Sequence, residues 1–296
     1  MTKAKKPVEI FDVVNIILMI LMMVVMLFPF WYAVVGSFND GTDYLTGGVY
    51  LWPRKFTTYN YKAVFRDKTI LSSFGITALK AIVGTVTSLF VTSLAAYALS
   101  RPQLKGKKFY IPYMMLTMYF GGGLIPYFIT IKNLGLYDTF WVYIIPGLFS
   151  VWNMIIIRSF FSELPPNLIE AAKIDGAGEY RIFFQLILPL SKPVLAAIAL
   201  FTLVGHWNSY FDSMMYTSSA SLQTIQLFLQ KVITDAGTAK GLANQAMLQL
   251  PESARQITPQ TIKLSAMVVT ALPIICVYPF LQKYFATGIM VGSLKG

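Results

Sequence analysis

Residues 170–189 read EAAKIDGAGEYRIFFQLILP and form a polar, helix-forming segment between long apolar runs. Gly176 predicts the end of a first short helix, because a residue without Cβ adopts the left-handed turn that reverses the chain. A second helix is expected from about Gly178. It should continue until Pro189, which interrupts the backbone hydrogen-bond ladder. The stretch therefore predicts two short helices joined by a tight turn.

The residues just before this stretch predict where the first helix begins. Pro165 and Pro166 stop the preceding helix, since proline lacks a backbone N–H group. Asn167 is a favourable N-cap residue. Glu170, three residues later, predicts a capping box in which its side chain reaches back to the N–H group of the cap. We therefore expect the first helix to start at Asn167.

The composition of the chain indicates a membrane protein. Of the 296 residues, 56% are apolar and only 12% are charged, and the mean hydropathy is +0.60. Soluble domains usually contain about 25% charged residues. Basic residues that flank membrane helices account for the formal net charge of +11, and no nucleic-acid-binding motif accompanies them.

Six apolar stretches are long enough to cross a bilayer as helices. About 20 residues suffice, because an α-helix rises about 1.5 Å per residue. The predicted spans are residues 13–36, 72–100, 109–131, 139–157, 193–211 and 264–282. Lipid offers no partner to backbone polar groups, and the sequence lacks the alternating pattern of barrel strands. We therefore predict an all-α membrane protein with six transmembrane helices and a single domain over residues 1–296.

The short loops indicate the orientation of the spans. Three lysines lie among the first six residues, and residues 101–108 carry four basic residues and no acidic one. Because short cytoplasmic loops are rich in Lys and Arg, both segments are predicted inside, and six crossings also return the C-terminus to the cytoplasm. The connection 162–189 is then cytoplasmic. The segments 37–71 and 212–263 are predicted outside.

The sequence offers little for side-chain chemistry. There is one cysteine, Cys276, which excludes a disulfide within the chain, and the one histidine, His206, argues against a histidine-based metal site. No phosphate-binding GxxxxGK[ST] loop, GxSxG elbow or HExxH pair occurs. We therefore expect no catalytic residues, no metal site and no cofactor in this chain.

The first short helix has two interpretations. The small side chains of Ala171 and Ala172 allow another protein to come close, which favours a docking element on the inner face of the membrane. Alternatively, an amphipathic loop helix could rest on lipid headgroups. The surface offered by Ala171 and Ala172 lacks the bulky apolar wedge and the dense lysines that favour lipid binding, so docking is the preferred interpretation.

The spacing in residues 170–189 resembles the EAA loop of membrane subunits of type I ABC importers. The pattern is EAA, three residues, Gly176, nine residues, a branched aliphatic residue (here Leu186), one residue and Leu-Pro. Four further stretches are similar to the MalG-like carbohydrate permeases. These stretches are LAAYALSR at 94–101, Trp207-Asn208, YPFLQKYF at 278–285 and GSLKG at 292–296. The segments SFND at 37–40, LWPRKFT at 51–57 and FGGGLIP at 120–126 resemble the branch that imports fragments of acidic or plant polysaccharides.

This resemblance implies the type I permease fold and a set of partners. In that family a second, usually different permease completes the pore. Two cytoplasmic ATPase subunits bind ATP and Mg²⁺, and an extracytoplasmic binding protein delivers the ligand. The residues that the resemblance implies at the ATPase contact are Glu170, Ala171, Ala172, Asp175 and Gly176.

Polar and aromatic residues inside the apolar spans are candidates for the ligand path, because polar groups that face lipid are costly. They are Tyr119, Trp152, Asn153, Trp207, Asn208 and Tyr210. Each also fits a packing or membrane-interface role. Lys80 and Asp212 lie near predicted outer ends, and we expect both to reach towards water.

The sequences of two further segments predict local structure. Gly121 to Gly123 with Pro126 interrupt the third predicted span, which suits either a gate or close helix packing. The outer segment 212–263 is long, and its apolar residues recur at helical spacing from Leu222 to Val232, which predicts a short amphipathic helix. The resemblance implies contact with the binding protein over 235–258, and a cap over the outer vestibule is the alternative.

Three classes of function remain to be compared. The leading one is the permease subunit of an oligosaccharide importer in the bacterial plasma membrane. A membrane-embedded enzyme would need clustered acidic residues or histidines within the spans, and the sequence has almost none. A non-transporting scaffold or sensor that recruits cytoplasmic proteins through 162–189 stays open, as does a permease for a different small solute.

Overall fold

The structure of the protein is a computed structural model that describes residues 10–249 and 257–293. Within these ranges the chain is helical, with one isolated antiparallel bridge between Asn39 and Phe56. The first seven helices are α1 (Ile10–Ser37), α2 (Gly41–Leu45), α3 (Tyr59–Arg66), α4 (Lys68–Ser100), α5 (Lys107–Tyr119), α6 (Leu124–Asn133) and α7 (Val151–Glu163). The predicted all-α class is confirmed. The three N-terminal lysines used to assign orientation lie outside the described residues.

In the second half of the described chain the helices are mostly short, and the last helix is the longest. They are α8 (Pro166–Ile174), α9 (Glu179–Ile182), a π-helical turn (Phe183–Ile187), α10 (Leu188–Leu190), α11 (Lys192–Asn208), α12 (Phe211–Tyr216), α13 (Ile225–Thr234), α14 (Ala236–Gln249) and α15 (Pro259–Ser293). Three 3₁₀ turns complete the path at Phe140–Tyr143, Ile145–Gly147 and Ala220–Leu222. The predicted amphipathic outer helix is therefore present, as α13.

Three helices of the described chain are long and apolar enough to cross a membrane, and three bent helix pairs would bring the number to six. The helices α1 and α4 contain the predicted spans 13–36 and 72–100, and α15 contains 264–282. The other three predicted spans fall on the bent pairs.

The interruption predicted within the third span, 109–131, is present in the structure. The chain leaves α5 at Phe120, and α6 turns by 113° relative to α5. Gly123 adopts φ +84°, a value that residues other than glycine rarely tolerate, and Pro126 lies in the first turn of α6. The glycine run therefore separates the span into two helices that meet at a sharp bend.

The predicted bounds of the fourth and fifth spans need correction. Two 3₁₀ turns, the second containing Pro146, precede α7, which bends by 48° from them and continues to Glu163. The helix α11 ends at Asn208, not at residue 211, and Ser209 is extended. The hydroxyl of Ser209 donates a hydrogen bond to Asp212 at 2.6 Å, and such local bonds compete with helix formation.

The helix contacts divide the chain into two units. The first unit comprises residues up to Asp67 together with 231–270. In it, the side-chain amide of Asn60 donates hydrogen bonds to the carbonyls of Ser37 and Asn39, both at 2.9 Å, and so ties α3 to the end of α1. Lys263 donates to the carbonyl of Ile233 at 2.9 Å, where a cation stabilises a helix C-terminus.

The second unit comprises residues 68–230 together with the chain from Ala271 onward. In this unit α4 packs along α7 and α11. Its main core joins these helices to the turn after α9, and the buried residues include Ala96, Met154, Ile157, Phe161, Phe183, Ile187 and Ile198. The second half of the 170–189 segment, from Ile182 to Leu188, is thus anchored in the core of this unit.

The helix α8 begins with Pro166, so the predicted N-cap at Asn167 is wrong. Pro165 occupies the cap position, and no side-chain cap bond forms there. Proline at the first helical position lacks the N–H group that a cap would otherwise satisfy, and its fixed φ already suits the helix. The capping box between Asn167 and Glu170 is therefore unnecessary and is not formed.

Replacing Asn167 with alanine should consequently change the free energy of unfolding by less than about 0.5 kcal/mol, whereas loss of a true N-cap costs about 1 kcal/mol. The measurement is the thermal unfolding of the purified permease, with Ser150→Ala as the control. The Ser150 hydroxyl caps α7 by accepting a bond from the Asn153 N–H group at 3.3 Å. A larger loss for Asn167→Ala than for Ser150→Ala would contradict the assignment of the helix start.

Candidate functional site

The turn after α8 is held by two backbone hydrogen bonds. The N–H group of Ala177 donates to the carbonyl of Ala172 at 2.9 Å, and that of Gly176 donates to Lys173 at 3.0 Å. Gly176 has φ +76° and completes the Schellman arrangement that commonly ends a helix. The prediction that Gly176 makes this turn is confirmed, and α8 leaves the turn in one fixed direction.

The helix that follows the turn is wound irregularly before Pro189. The N–H group of Leu188 donates to the carbonyl of Phe183, five residues back, which is the pattern of a π-helical turn. Pro189 itself has no N–H group to donate. The chain then bends by 80° between Leu190 and Lys192, so the α9–α10 segment lies nearly perpendicular to α11.

Aromatic packing fixes this segment to the neighbouring helices. Ile182, Phe183 and Ile187 are buried. The Phe183 ring lies 5.1 Å from that of Tyr97 on α4 and 5.0 Å from that of Phe184. The turn after α9 is therefore packed directly against α4.

A polar connection joins the same elements. The Tyr97 hydroxyl donates to the Glu179 carboxylate at 2.5 Å, and the Lys173 ammonium group lies 2.8 Å from the other oxygen of that carboxylate. The bonds from Lys173 and Tyr97 hold the pKa of Glu179 below its usual range. Since the pKa is lowered on folding, this stabilisation is present at neutral pH and is lost as the pH falls through the lowered pKa. The guanidinium group of Arg101 lies 4.3 Å from the Tyr97 ring centroid.

Replacing Tyr97 with phenylalanine should keep the ring packing but remove the bond to Glu179. We expect unfolding to become easier by about 1–2 kcal/mol, because the lost bond is to a charged group, and more ATP to be hydrolysed per ligand imported. Uptake and phosphate release measured together in proteoliposomes check both effects. Tyr110→Phe is the matched control, since Tyr110 is exposed and makes no hydrogen bond with the described residues. Equal ratios in the two variants would count against the connection.

The predicted ATPase-contact residues lie together at the tip of this segment. Glu170, Ala171, Asp175 and Gly176 are exposed, while Ala172 is half-buried against the core. Two large apolar side chains stand beside them, Ile174 at 86% exposure and Tyr180 at 79%. Sequence reasoning did not single out these two residues. Exposed apolar side chains next to small ones form a surface that suits docking of another protein.

The predicted ligand-path residues lie at three separate places. Tyr119 is the exposed last residue of α5, and Trp152 and Asn153 lie in the first turn of α7. The other three residues, Trp207, Asn208 and Tyr210, lie at or just beyond the end of α11. There the buried Trp207 ring packs edge-on against Phe74 at 5.3 Å, which gives it a packing role.

The remaining two members of this set differ in their surroundings. The side-chain oxygen of Asn208 accepts a hydrogen bond from Gln226 at 3.4 Å, whereas Tyr210 is partly exposed beyond the end of α11. The six residues thus come from three different segments of the chain. Their role in the ligand path stays a prediction.

The expectation that Lys80 reaches water is wrong. Its side chain is completely buried, and its ammonium group lies 2.9 Å from the Asp212 carboxylate and 4.7 Å from the Tyr143 ring centroid. A buried lysine without a partner would be very costly, so the ion pair holds the charge inside the protein. The sequence feature that could have indicated this ion pair is one basic and one acidic residue, Lys80 and Asp212, each within an otherwise apolar stretch.

A partly open cavity of about 300 Å³ lies beside this ion pair. Its walls come from α6, the two 3₁₀ turns before α7, the end of α11, and α12. The lining residues with polar or aromatic side chains are Tyr127, Tyr143, His206, Phe211, Asp212 and Tyr216. None of the six predicted ligand-path residues belongs to this lining. Within the part of the chain that the structure describes, no group of three or more metal-binding side chains was found.

Comparison with known proteins gives the family. The family model of the binding-protein-dependent transport system inner membrane component matches residues 109–291. Protein LplC of Bacillus subtilis (strain 168) is 39% identical over 97% of this chain and 96% of its own length. The polygalacturonan/rhamnogalacturonan transport system permease protein YtcP of the same organism is 34% identical, over 97% of this chain and 99% of its own.

A solved structure agrees over nearly the whole chain. It is the crystal structure of a bacterial ABC transporter involved in the import of the acidic polysaccharide alginate. One of its chains matches with a TM-score of 0.87 and 31% identity, covering 95% of this chain and 100% of that one. The predicted permease fold is therefore confirmed, as is the resemblance carried by residues 170–189. This chain belongs to the binding-protein-dependent transport system inner membrane components and is a permease subunit of an ABC importer.

Proposed function

We propose that the importer containing this permease subunit takes up oligosaccharides, specifically fragments of acidic or plant polysaccharides. The proposal is supported by relatives named for polygalacturonan and rhamnogalacturonan transport and by a structural neighbour from an alginate importer. Relatives named for arabinooligosaccharides and for trehalose and maltose match over more than nine-tenths of this chain. Carbohydrate is the chemistry that these names share.

The observation that carries the coupling part of the proposal is the rigid α8–Gly176–α9 projection. Its tip exposes Glu170, Ala171, Asp175 and Gly176, and its base is buried in the core that joins α4, α7 and α11. In our proposal Ile174 and Tyr180 enter a groove on a cytoplasmic ATPase subunit, and Ala171 and Ala172 allow the backbones to approach. Closure of the ATPase pair then moves the whole packed unit as a rigid body.

The proposed assembly contains this chain, a second permease, two ATPase subunits and an extracytoplasmic sugar-binding protein. ATP and Mg²⁺ are bound by the ATPase subunits, and both termini of this chain lie in the cytoplasm. The binding protein meets the outer segment over 235–258. Residues 236–249 of that segment form α14, and 250–256 lie outside the described residues.

The test is reconstitution of the complete importer in proteoliposomes with its binding protein. Trigalacturonate is the first ligand, because one relative is named for polygalacturonan. We expect ligand-stimulated ATP hydrolysis together with uptake. Hydrolysis and uptake with maltotriose but not with trigalacturonate would overturn the acidic substrate. Assembly without any ligand-stimulated turnover across a panel of oligosaccharides would favour the scaffold or a different solute.

The docking surface has its own test. Ile174→Ser should weaken the association of the ATPase subunit at least tenfold, because a large exposed apolar side chain at the centre of a contact contributes strongly to binding. Ile145→Ser is a control of the same chemistry, since Ile145 is exposed but belongs to a 3₁₀ turn far along the chain from the projection. Unchanged pull-down of the ATPase by Ile174→Ser would contradict the proposed contact.

A further inference from the structure

The cavity beside Asp212 has the chemistry of a carbohydrate subsite. Three aromatic rings form one part of its wall, with the Tyr216 ring 5.7 Å from that of Tyr127 and 6.5 Å from that of Phe211. Ring faces suit the apolar C–H faces of sugars. The volume of about 300 Å³ lies at the lower end for ligand cavities, which favours a single sugar ring.

The polar part of the wall presents hydrogen-bond acceptors that are already oriented. One oxygen of Asp212 accepts from the Lys80 ammonium group at 2.9 Å, and the other accepts from the Ser209 hydroxyl at 2.6 Å. A carboxylate has about four lone-pair directions, so each oxygen retains capacity for a further donor. The Asp212 side chain is 33% exposed, whereas that of Lys80 is 0% exposed. A ligand therefore reaches the carboxylate but not the ammonium group.

His206 adds a second polar group to the same wall. Its ring lies against Gly84, where an added Cβ would come within 2.6–2.9 Å of three ring atoms. No hydrogen bond from the described residues reaches the His206 ring, and its side chain lines the cavity. The close packing on Gly84 restricts the position of the imidazole ring. Because no hydrogen bond from the described residues uses its nitrogen atoms, they are available for a ligand hydroxyl.

We infer that this cavity binds one sugar ring of the transported ligand, with Tyr127, Phe211 and Tyr216 against the ring and Asp212 and His206 bonded to its hydroxyls. Lys80 is a positioning residue that holds Asp212. Because the Lys80 ammonium group beside the cavity is out of reach and the accessible charge, Asp212, is an acceptor, the subsite recognises hydroxyl groups and not the carboxylate of a uronic acid. The inference rests on the proposed carbohydrate import.

The test uses the complete importer in proteoliposomes with Tyr216→Ala and His206→Ala, and with Trp141→Ala as an exposed aromatic control that does not line the cavity. Ligands are trigalacturonate and its methyl ester, which keep the ring hydroxyls but differ in charge. At subsaturating ligand we expect each cavity variant to lower uptake about tenfold for both ligands. Trp141→Ala should stay within about twofold of the unchanged importer.

Assembly must be scored alongside, because a cavity variant could fail to fold. Tyr216→Phe keeps the ring and should retain most uptake, and it replaces Tyr216→Ala if the latter does not assemble. Uptake within twofold of the unchanged importer in assembled cavity variants would overturn the subsite, as would loss with the acid but not with the ester. If the unchanged importer takes up neither ligand, the proposed carbohydrate function fails and not the subsite alone.

Discussion

Replacing Gly176 with valine should leave the permease folded in the membrane but uncouple ATP hydrolysis from import. Gly176 has φ +76°, where a β-branched residue is strained by roughly 1–3 kcal/mol. The strain falls on the turn between α8 and α9, so the tip of the projection changes direction while the core beneath it remains packed. We expect uptake to fall more than tenfold, measured in proteoliposomes that contain the complete importer.

The control for this prediction is Gly176→Asn. Asparagine tolerates the left-handed conformation but adds a side chain of similar size to valine. Apart from the residues that adjoin Gly176 in the chain, no atom of the described residues lies within 4 Å of a Cβ placed at this position, so strain and not a clash separates the two variants. Near-normal import by Gly176→Val would contradict a coupling role for the turn. Equal loss in both variants would assign the effect to bulk at the ATPase contact.

Replacing Asp212 with leucine should destabilise the permease by about 3 kcal/mol, because it leaves the Lys80 charge buried without its carboxylate partner. The reverse change, Lys80→Met, should cost less. In that variant the unpaired charge is the Asp212 carboxylate, which is 33% exposed to solvent and still accepts a hydrogen bond from the Ser209 hydroxyl. Thermal unfolding of the purified permease in detergent measures both losses.

The double variant Lys80→Met with Asp212→Leu separates folding from function. Removing both charges should restore most of the stability, since a well-packed apolar pair often replaces a buried ion pair without loss. Uptake should remain low, because the acceptor in the proposed sugar subsite is gone. Additive losses of stability in the double variant would show that the two charges do not depend on each other.

The sequence was informative where a local pattern determines the structure. The apolar stretches within α1, α4 and α15 are long and unbroken, and each appears as one helix. The turn at Gly176 follows from its sequence neighbours alone, because its two backbone bonds close within five residues. Spacing was also sufficient to predict α13, where Ile225, Phe228 and Val232 are buried at helical intervals.

Features that depend on distant contacts were not predicted. The ion pair joins residues 132 positions apart, so neither Lys80 nor Asp212 reveals its partner in the sequence. The cavity lining comes from four chain segments, and its members look like ordinary membrane aromatics when considered singly. The start of α8 was misplaced for a local reason, namely that Pro166 satisfies the helix end without a side-chain cap.

The π-helical turn at Phe183–Ile187 sets the rotational phase of the projection about its own axis. A π turn accommodates one more residue than α-helical winding, and one residue corresponds to about 100° of rotation. Deleting a single residue within this turn would allow α-helical winding from α9 into α10. The exposed face of the projection would then point roughly 100° away from the proposed ATPase contact, while most packing below Leu188 stayed intact. In the proposed assembly, this one extra residue sets the angle between the ATPase contact and the membrane helices.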